Sequence, residues 1–159
     1  FRVASAEGKY LSDVDGHRYI DLLGNCTAGL LGHSPGPVRA AVHAAIDTLA
    51  LERGERWLVL GNMAELGTEA ARLHAEVGAH ARAAGIERLY TVGALAREAA
   101  RAFGAEAQAF DAQEPAIAAL RRDFRAGVVA LVKGSRSSAM ERVVVALAGA
   151  AAGGHSHAA

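Results

Sequence analysis

The feature that most constrains this chain is a rhythm. Short, nearly continuous apolar runs are separated by longer stretches whose apolar residues recur every three or four positions. The runs are Arg56 to Leu60, Arg88 to Val92, Ala107 to Phe110 and Val128 to Val132. Runs this short, without polar alternation, are what strands look like when helices cover both faces of their sheet. Between them, Leu66, Ala70, Leu73, Val77, Ala81 and Ala84 form one helical stripe closed by Gly85. Leu95, Ala99 and Phe103 precede Gly104, and Ile117, Leu120 and Phe124 precede Gly127, with Pro115 placed for a first helical turn. A further helix from Pro37 carries Val38, Val42, Ile46 and Leu49 toward Gly54. The last one is expected to start at Ser137 or Ser138, where Ser138 and Glu141 fit a capping box ahead of Val143, Val144 and Leu147. Strands that alternate with helices pair in parallel through helical crossovers. The expected fold class is therefore α/β, a Rossmann-like three-layer sandwich with a mostly parallel sheet.

The region before Pro37 differs in kind. Lys9 to Ser12 and Arg18 to Leu23 are strand candidates around Asp15-Gly16, a strong hairpin turn signal, and Gly24 to Gly36 is loop-like. This predicts an N-terminal β-hairpin and loop extension. The small-residue tail from Gly149 is expected to fray. At 159 residues, one domain can bury roughly 70% of its unfolded surface, enough for a proper core. Basic and acidic residues balance at 17 each, so no net field draws the chain to nucleic acid or an anionic membrane. The single Cys26 cannot form an internal disulfide. Phe1 to Ala6 lacks the basic end and apolar run of a secretory signal. The apolar stretch Val143 to Ala152 is about half the roughly 20 residues a membrane span needs. These features together predict a soluble, cytoplasmic protein.

Two loops attract functional interest. GNMAELG at 61 to 67 and KGSRS at 133 to 137 each follow a predicted strand and precede a predicted helix, the edge where open α/β sheets bind ligands. They are expected to be neighbours along one rim. Lys133, Arg136 and the unpaired N–H groups of a helix starting near Ser137 make a plausible anion site, because a helix start carries free donors and partial positive charge. Arg136 adds a forked guanidinium that suits a carboxylate or phosphate. A plainer reading stands beside this one: Ser-Arg-Ser as a simple N-cap with a solvated Arg, and Lys133 as a strand end. Glu65 fits either a basic group of a ligand or ordinary helix-dipole complementarity. His74, one step off the apolar stripe, reads as a boundary residue. His17 and His33 read as turn and loop residues, His155 and His157 lack a third metal ligand, and Cys26 has no nearby base.

Three stretches, GNMAELG at 61 to 67, LHAEVG at 73 to 78 and VKGSRSSAMERVV at 132 to 144, resemble the C-terminal domain of MurF-type UDP-N-acetylmuramoyl-tripeptide D-alanyl-D-alanine ligases. AAGIERLYTVG at 83 to 93 is similar to the same family, so the resemblance spans residues 46–148, ahead of a tail at 149–159. It implies a Mur-type ligase domain that helps join D-alanyl-D-alanine to a UDP-MurNAc-peptide. The candidate substrate-binding residues are Lys133, Ser135, Arg136, Ser137, Asn62 and Glu65; no catalytic residue and no metal ligand is assigned. The family usually has Asp where this chain has Asn62, and its strand and Asn-rich turn before the helix at Pro37 are absent. The resemblance also implies ATP and Mg. No G-x-x-x-x-G-K-[ST] loop occurs, and neither of the two lysines, Lys9 and Lys133, follows the required glycines, so the chain alone is expected to bind no cofactor. Ligation would need an ATP-binding domain in trans.

Residues 7–46, EGKYLSDVDGHRYIDLLGNCTAGLLGHSPGPVRAAVHAAI, instead resemble the N-terminal segment of class III pyridoxal-phosphate aminotransferases, close to glutamate-1-semialdehyde aminomutases. That gives residues 1–45 a separate character. The usual His-Pro pair after Gly32-His33 is altered to Ser34 and Pro35-Gly36-Pro37. A Schiff base needs a lysine in a phosphate pocket, and neither lysine has that context, so pyridoxal phosphate and transaminase activity are not expected. The two resemblances meet at AAIDTLA, 44 to 50, which points to a chimera joined through one helix. In such a chimera Tyr19 to Leu23 would replace the strand missing from the ligase domain, with Pro37 to Leu51 as its crossover. The alternatives are a non-catalytic assembly module, with Leu22, Leu23, Leu30 and Leu31 seeking a homodimer partner, or an aminotransferase fragment.

Overall fold

The computed structural model describes residues 3–7, 10–13, 18–20, 36–64 and 66–152, with side chains described within 38–64 and 66–148. Two sheets are present among these residues. The first joins β1 (Val3–Glu7), β2 (Tyr10–Asp13) and β3 (Arg18–Ile20) in that order, both pairs antiparallel. The second holds β4 (Glu55–Gly61), β5 (Arg88–Val92), β6 (Ala107–Phe110) and β7 (Val128–Lys133) in the order β6-β5-β4-β7, every pair parallel. Helices α1 (Gly36–Ala50), α2 (Ala70–Ala83), α3 (Ala96–Phe103), α4 (Gln113–Asp123) and α5 (Glu141–Ala152) alternate with these strands. No described helix is long and apolar enough to cross a membrane.

Successive strand residues point to opposite faces, and the parallel sheet uses both. Leu58, Leu60 and Leu89 pack with Val42, Ile46, Leu49, Leu73, Val77, Ala99 and Phe103, which places α1, α2 and α3 on one side. Trp57, Val59, Tyr90 and Val92 pack with Ala116, Leu120, Met140 and Val143, which places α4 and α5 on the other. This is the expected three-layer α/β sandwich.

The hairpin of β2 and β3 is present as predicted, but β1 adds a third strand that the sequence reading did not include. Tyr19 and Ile20 pair with Leu11 and Tyr10 in the antiparallel sheet. They do not replace a strand of the parallel sheet, so that part of the chimera expectation is overturned. The physical reason is local: a hairpin satisfies the β3 backbone across a short turn, whereas joining a distant sheet requires closing a longer loop. The Asp15-Gly16 turn, residues 21–35 (including Leu22, Leu23, Cys26, Leu30, Leu31 and His33), His17, Glu65 and the histidines of the tail lie outside the described residues.

The last helix also departs from expectation. Residues Arg136–Ser138 form a single 3-10 turn, Ala139 takes a left-handed conformation at φ 44°, and α5 begins at Glu141. The Ser138–Glu141 capping box does not form, because the left-handed Ala139 separates Ser138 from a helix whose first residue is Glu141.

Candidate functional site

β4 and β7 run parallel side by side with Leu60 opposite Lys133, so the chain leaves both strands at the same end of the sheet. The two loops then touch. The Ser135 N–H donates to the Asn62 carbonyl at 2.9 Å, and the Ser138 hydroxyl donates to the same oxygen at 2.8 Å. A Cβ added to Gly134 would lie 3.3 Å from the Gly61 Cα, so only small residues permit this approach. The Ser135 hydroxyl lies 2.9 Å from that of Ser137 and 3.0 Å from that of Ser138, which draws the three serines into one cluster.

These loops and α1 enclose a cavity of about 750 Å³. One wall is apolar, from Val38, Ala41, Val42, Met63 and Ala64; the other is polar, from Lys133 through Ser137. Lys133 is half-buried where β7 ends and Arg136 is exposed. Among the described residues no carboxylate forms an ion pair with either of them. The helix-start part of the anion expectation needs correction. The Ser138 and Ala139 N–H groups are already bonded to the Ser135 and Arg136 carbonyls, so the site has side-chain cations and hydroxyls rather than a row of free α-helical donors.

Asn62 lies at this rim, but its side chain turns inward. Its Oδ1 accepts the Ala96 N–H at 2.9 Å, where α3 begins, while its backbone carbonyl holds the serine loop. The structure thus engages Asn62 in building the rim. Gly93, with φ 104°, passes so close that a Cβ there would meet the Asn62 amide nitrogen at 2.6 Å.

The residue sequence reasoning misplaced is His74, which is fully buried rather than at a boundary. The Met63 N–H donates to its Nε2 at 2.9 Å, which leaves Nδ1 as the protonated nitrogen, 2.7 Å from the Ala70 carbonyl. Burial lowers its pKa from the ordinary value, against smaller raising effects from the Ala70 carbonyl and Glu98. His74 therefore pins the first loop to α2 in its neutral form. A signal existed: His74 stands four residues after Ala70 and three before Val77, a core position by helical spacing.

The donor set suits an anion better than a cation. Among the described residues no group of three or more His, Cys, Asp or Glu gathers to hold a metal. Lys133, Arg136 and hydroxyls are donors that fit phosphate or carboxylate oxygens, so the Mg that the resemblance implies has no matching cradle here.

Comparison with known proteins agrees with this architecture. Over 106 residues, 65% of this chain and 23% of the relative, the sequence is 42% identical to UDP-N-acetylmuramoyl-tripeptide--D-alanyl-D-alanine ligase of Escherichia coli K12. Over 47 residues, 30% of this chain and 11% of the relative, it is 51% identical to glutamate-1-semialdehyde 2,1-aminomutase of Akkermansia muciniphila. The chain thus spans about a quarter or less of either curated relative. A crystal structure of MurF from Acinetobacter baumannii superposes with a TM-score of 0.62 at 25% identity, covering 69% of this chain and 25% of that one. Residues 31–136, well over half of the chain, match the family model for the Mur ligase glutamate ligase domain, and the chain belongs to that family.

Proposed function

We propose that residues 46–148 are the substrate-binding C-terminal domain of an ATP-dependent peptidoglycan precursor ligase, one that adds D-alanyl-D-alanine to a UDP-MurNAc-tripeptide. The observation that carries this reading is the convergence of the Gly61–Gly67 and Lys133–Ser137 loops over a cavity with one apolar and one cationic wall. Both candidate ligands carry anionic groups, and D-alanyl-D-alanine adds methyl groups suited to the Val38, Val42 and Met63 side. Lys133, Arg136, Ser135 and Ser137 would bind the anion, with Asn62 supporting their loop. ATP and Mg would be held by a separate ATP-binding domain beside this one in the cytoplasm.

Calorimetry on the full chain with D-alanyl-D-alanine, the UDP-MurNAc-tripeptide and ATP in turn tests the proposal. We expect heat from at least one of the first two and none from ATP alone. Arg136→Ala is expected to weaken that binding roughly 10- to 100-fold, the range for a hydrogen bond to a charged group. No binding by either substrate, or an Arg136→Ala variant that binds like the parent, would overturn it.

The 51% identity to the aminomutase favours a second reading for the N-terminal segment. In that reading the chain is a chimera whose residues 1–45 serve as a non-catalytic assembly module for a homodimer. Pyridoxal phosphate added to the full chain is then expected to give no Schiff-base absorbance. A visible band that borohydride fixes onto Lys9 or Lys133 would contradict this.

A further inference from the structure

The hydrogen bonds that join the two loops meet on one peptide group. The Asn62 carbonyl and the Met63 N–H belong to the same planar unit, and no described peptide bond is cis. In a trans unit the two point in opposite directions. On one side the carbonyl accepts Ser135 N–H and Ser138 Oγ; on the other the N–H donates to His74 Nε2. Turning the plane to satisfy one side would break the other. Bonds that pass through one amide also polarise it, so each strengthens its neighbour.

We propose that His74 is the positioning residue of the rim: its neutral imidazole fixes the Asn62–Met63 plane and through it the Lys133–Ser138 loop, so the anion site is built only while His74 is unprotonated. The inference rests on reading Lys133 and Arg136 as an anion site, and the experiment below separates the two. A protonated His74 would present an Nε2–H to the Met63 N–H, two donors face to face in a buried position. One must turn away, and the plane loses its anchor. The Asn62 carbonyl would then no longer be aimed at Ser135 and Ser138. Burial favours the neutral ring, as does the Met63 N–H that already occupies the Nε2 lone pair, against a smaller raising effect from the Ala70 carbonyl. Among the described residues the ionisable group acting on it from the packed helix is Glu98 of α3, whose charge favours the imidazolium and which is itself paired with Arg101. Met63 and Ala64 form part of the cavity wall, so release of this plane reaches the site directly.

Sulfate, whose charge is constant across the range, is the probe. NMR titration of the labelled full chain would follow the Ser135 and Arg136 amides between about pH 5 and about pH 8, bracketing the histidine range. In the parent chain sulfate is expected to bind about tenfold more weakly at the acid end, as loss of a buried hydrogen bond implies. His74→Gln can place an amide oxygen near the Nε2 position and cannot take up a proton, so its affinity is expected to stay high and flat. His74→Phe fills the space without an acceptor and is expected to bind weakly throughout. A His74→Gln profile that follows the parent's, or a His74→Phe variant that binds like the parent at the alkaline end, would overturn the proposal. Should His74→Phe fail to fold, the His74→Gln profile decides alone. If sulfate shifts no rim amide at any pH, the anion reading is what fails. The positioning role then stands or falls on hydrogen exchange at Met63 and Ser135, whose protection relative to the intrinsic rate at each pH must fall on acidification in the parent and not in His74→Gln.

Discussion

Asn62 directs its side-chain oxygen at the Ala96 N–H, where α3 begins, and in doing so acts as a remote cap for a helix whose own preceding residue, Leu95, supplies none. An aspartate there would accept the same bond and add a negative charge at the positive end of the helix. Asn62→Asp is therefore expected to stabilise the fold by about 0.3 to 1 kcal/mol, and Asn62→Ala to cost about 1 kcal/mol, in urea denaturation. The sequence placed Asn62 on the rim through the GNMAELG loop, but the direction of its side chain depends on a partner 34 residues away. His74 was misread for a related reason. It was placed at a boundary because it stands one step off the Leu73 stripe, and the partners that let it be buried, the Met63 N–H and the Ala70 carbonyl, show only in the folded structure. That Lys133, Ser135, Arg136 and Ser137 lie on the rim was legible from loop position, since a residue just past a parallel strand lies at the sheet's carboxyl edge wherever the strand sits in the order.

At the scale of elements, α2 comes against the backbone of α3 at Gly78. A Cβ there would lie 2.0 Å from the Ala99 carbonyl oxygen, a clash with backbone that no side-chain rotation relieves. Gly78→Ala is expected to destabilise the protein by about 1 to 3 kcal/mol or more, read as a lowered denaturation midpoint. The four parallel strands were readable because each is a short, mostly apolar run, though Gln108 interrupts β6, and α2, α3 and α4 because a glycine follows closely after each. The start of α5 was not. Ser138-x-x-Glu141 is a sound local signal for a cap, but the Ser138 hydroxyl finds the Asn62 carbonyl, 76 residues away in sequence, and Ala139 turns left-handed before the helix begins. β1, with the sequence Val-Ala-Ser-Ala-Glu, has too little β-branched or aromatic character to announce itself.

For the whole molecule, the perturbed histidines set a direction for pH dependence. His43 on α1 and His74 both have lowered pKa values, each chiefly through burial, with His80 and Arg39 adding to the effect at His43 against Asp47 and Glu76. A depressed folded-state value means that the unfolded chain binds protons first as pH falls. The stability tied to these neutral rings is thus complete above about pH 6.5, the ordinary histidine value, and declines as acid takes the chain through the lower folded-state range. Asp123 behaves similarly at lower pH. Its carboxylate, held mainly by Arg122 and also by Tyr90 and Gln108, has its pKa lowered from 3.8 to about 2, so its share persists above the ordinary value and is lost as pH falls through about 2. Urea midpoints measured across this range are expected to fall in two stages, and a midpoint that rises on acidification from neutrality would contradict the assignment. The strand order β6-β5-β4-β7 has a different kind of consequence. Its last strand returns to lie against its first, so the bond between Ser138 and Asn62 closes a loop of 76 residues and carries the entropic cost of that closure. The pocket is late in sequence: a chain still emerging during synthesis has β4, β5 and β6 outside before the cationic wall, Lys133 to Ser137, has been made.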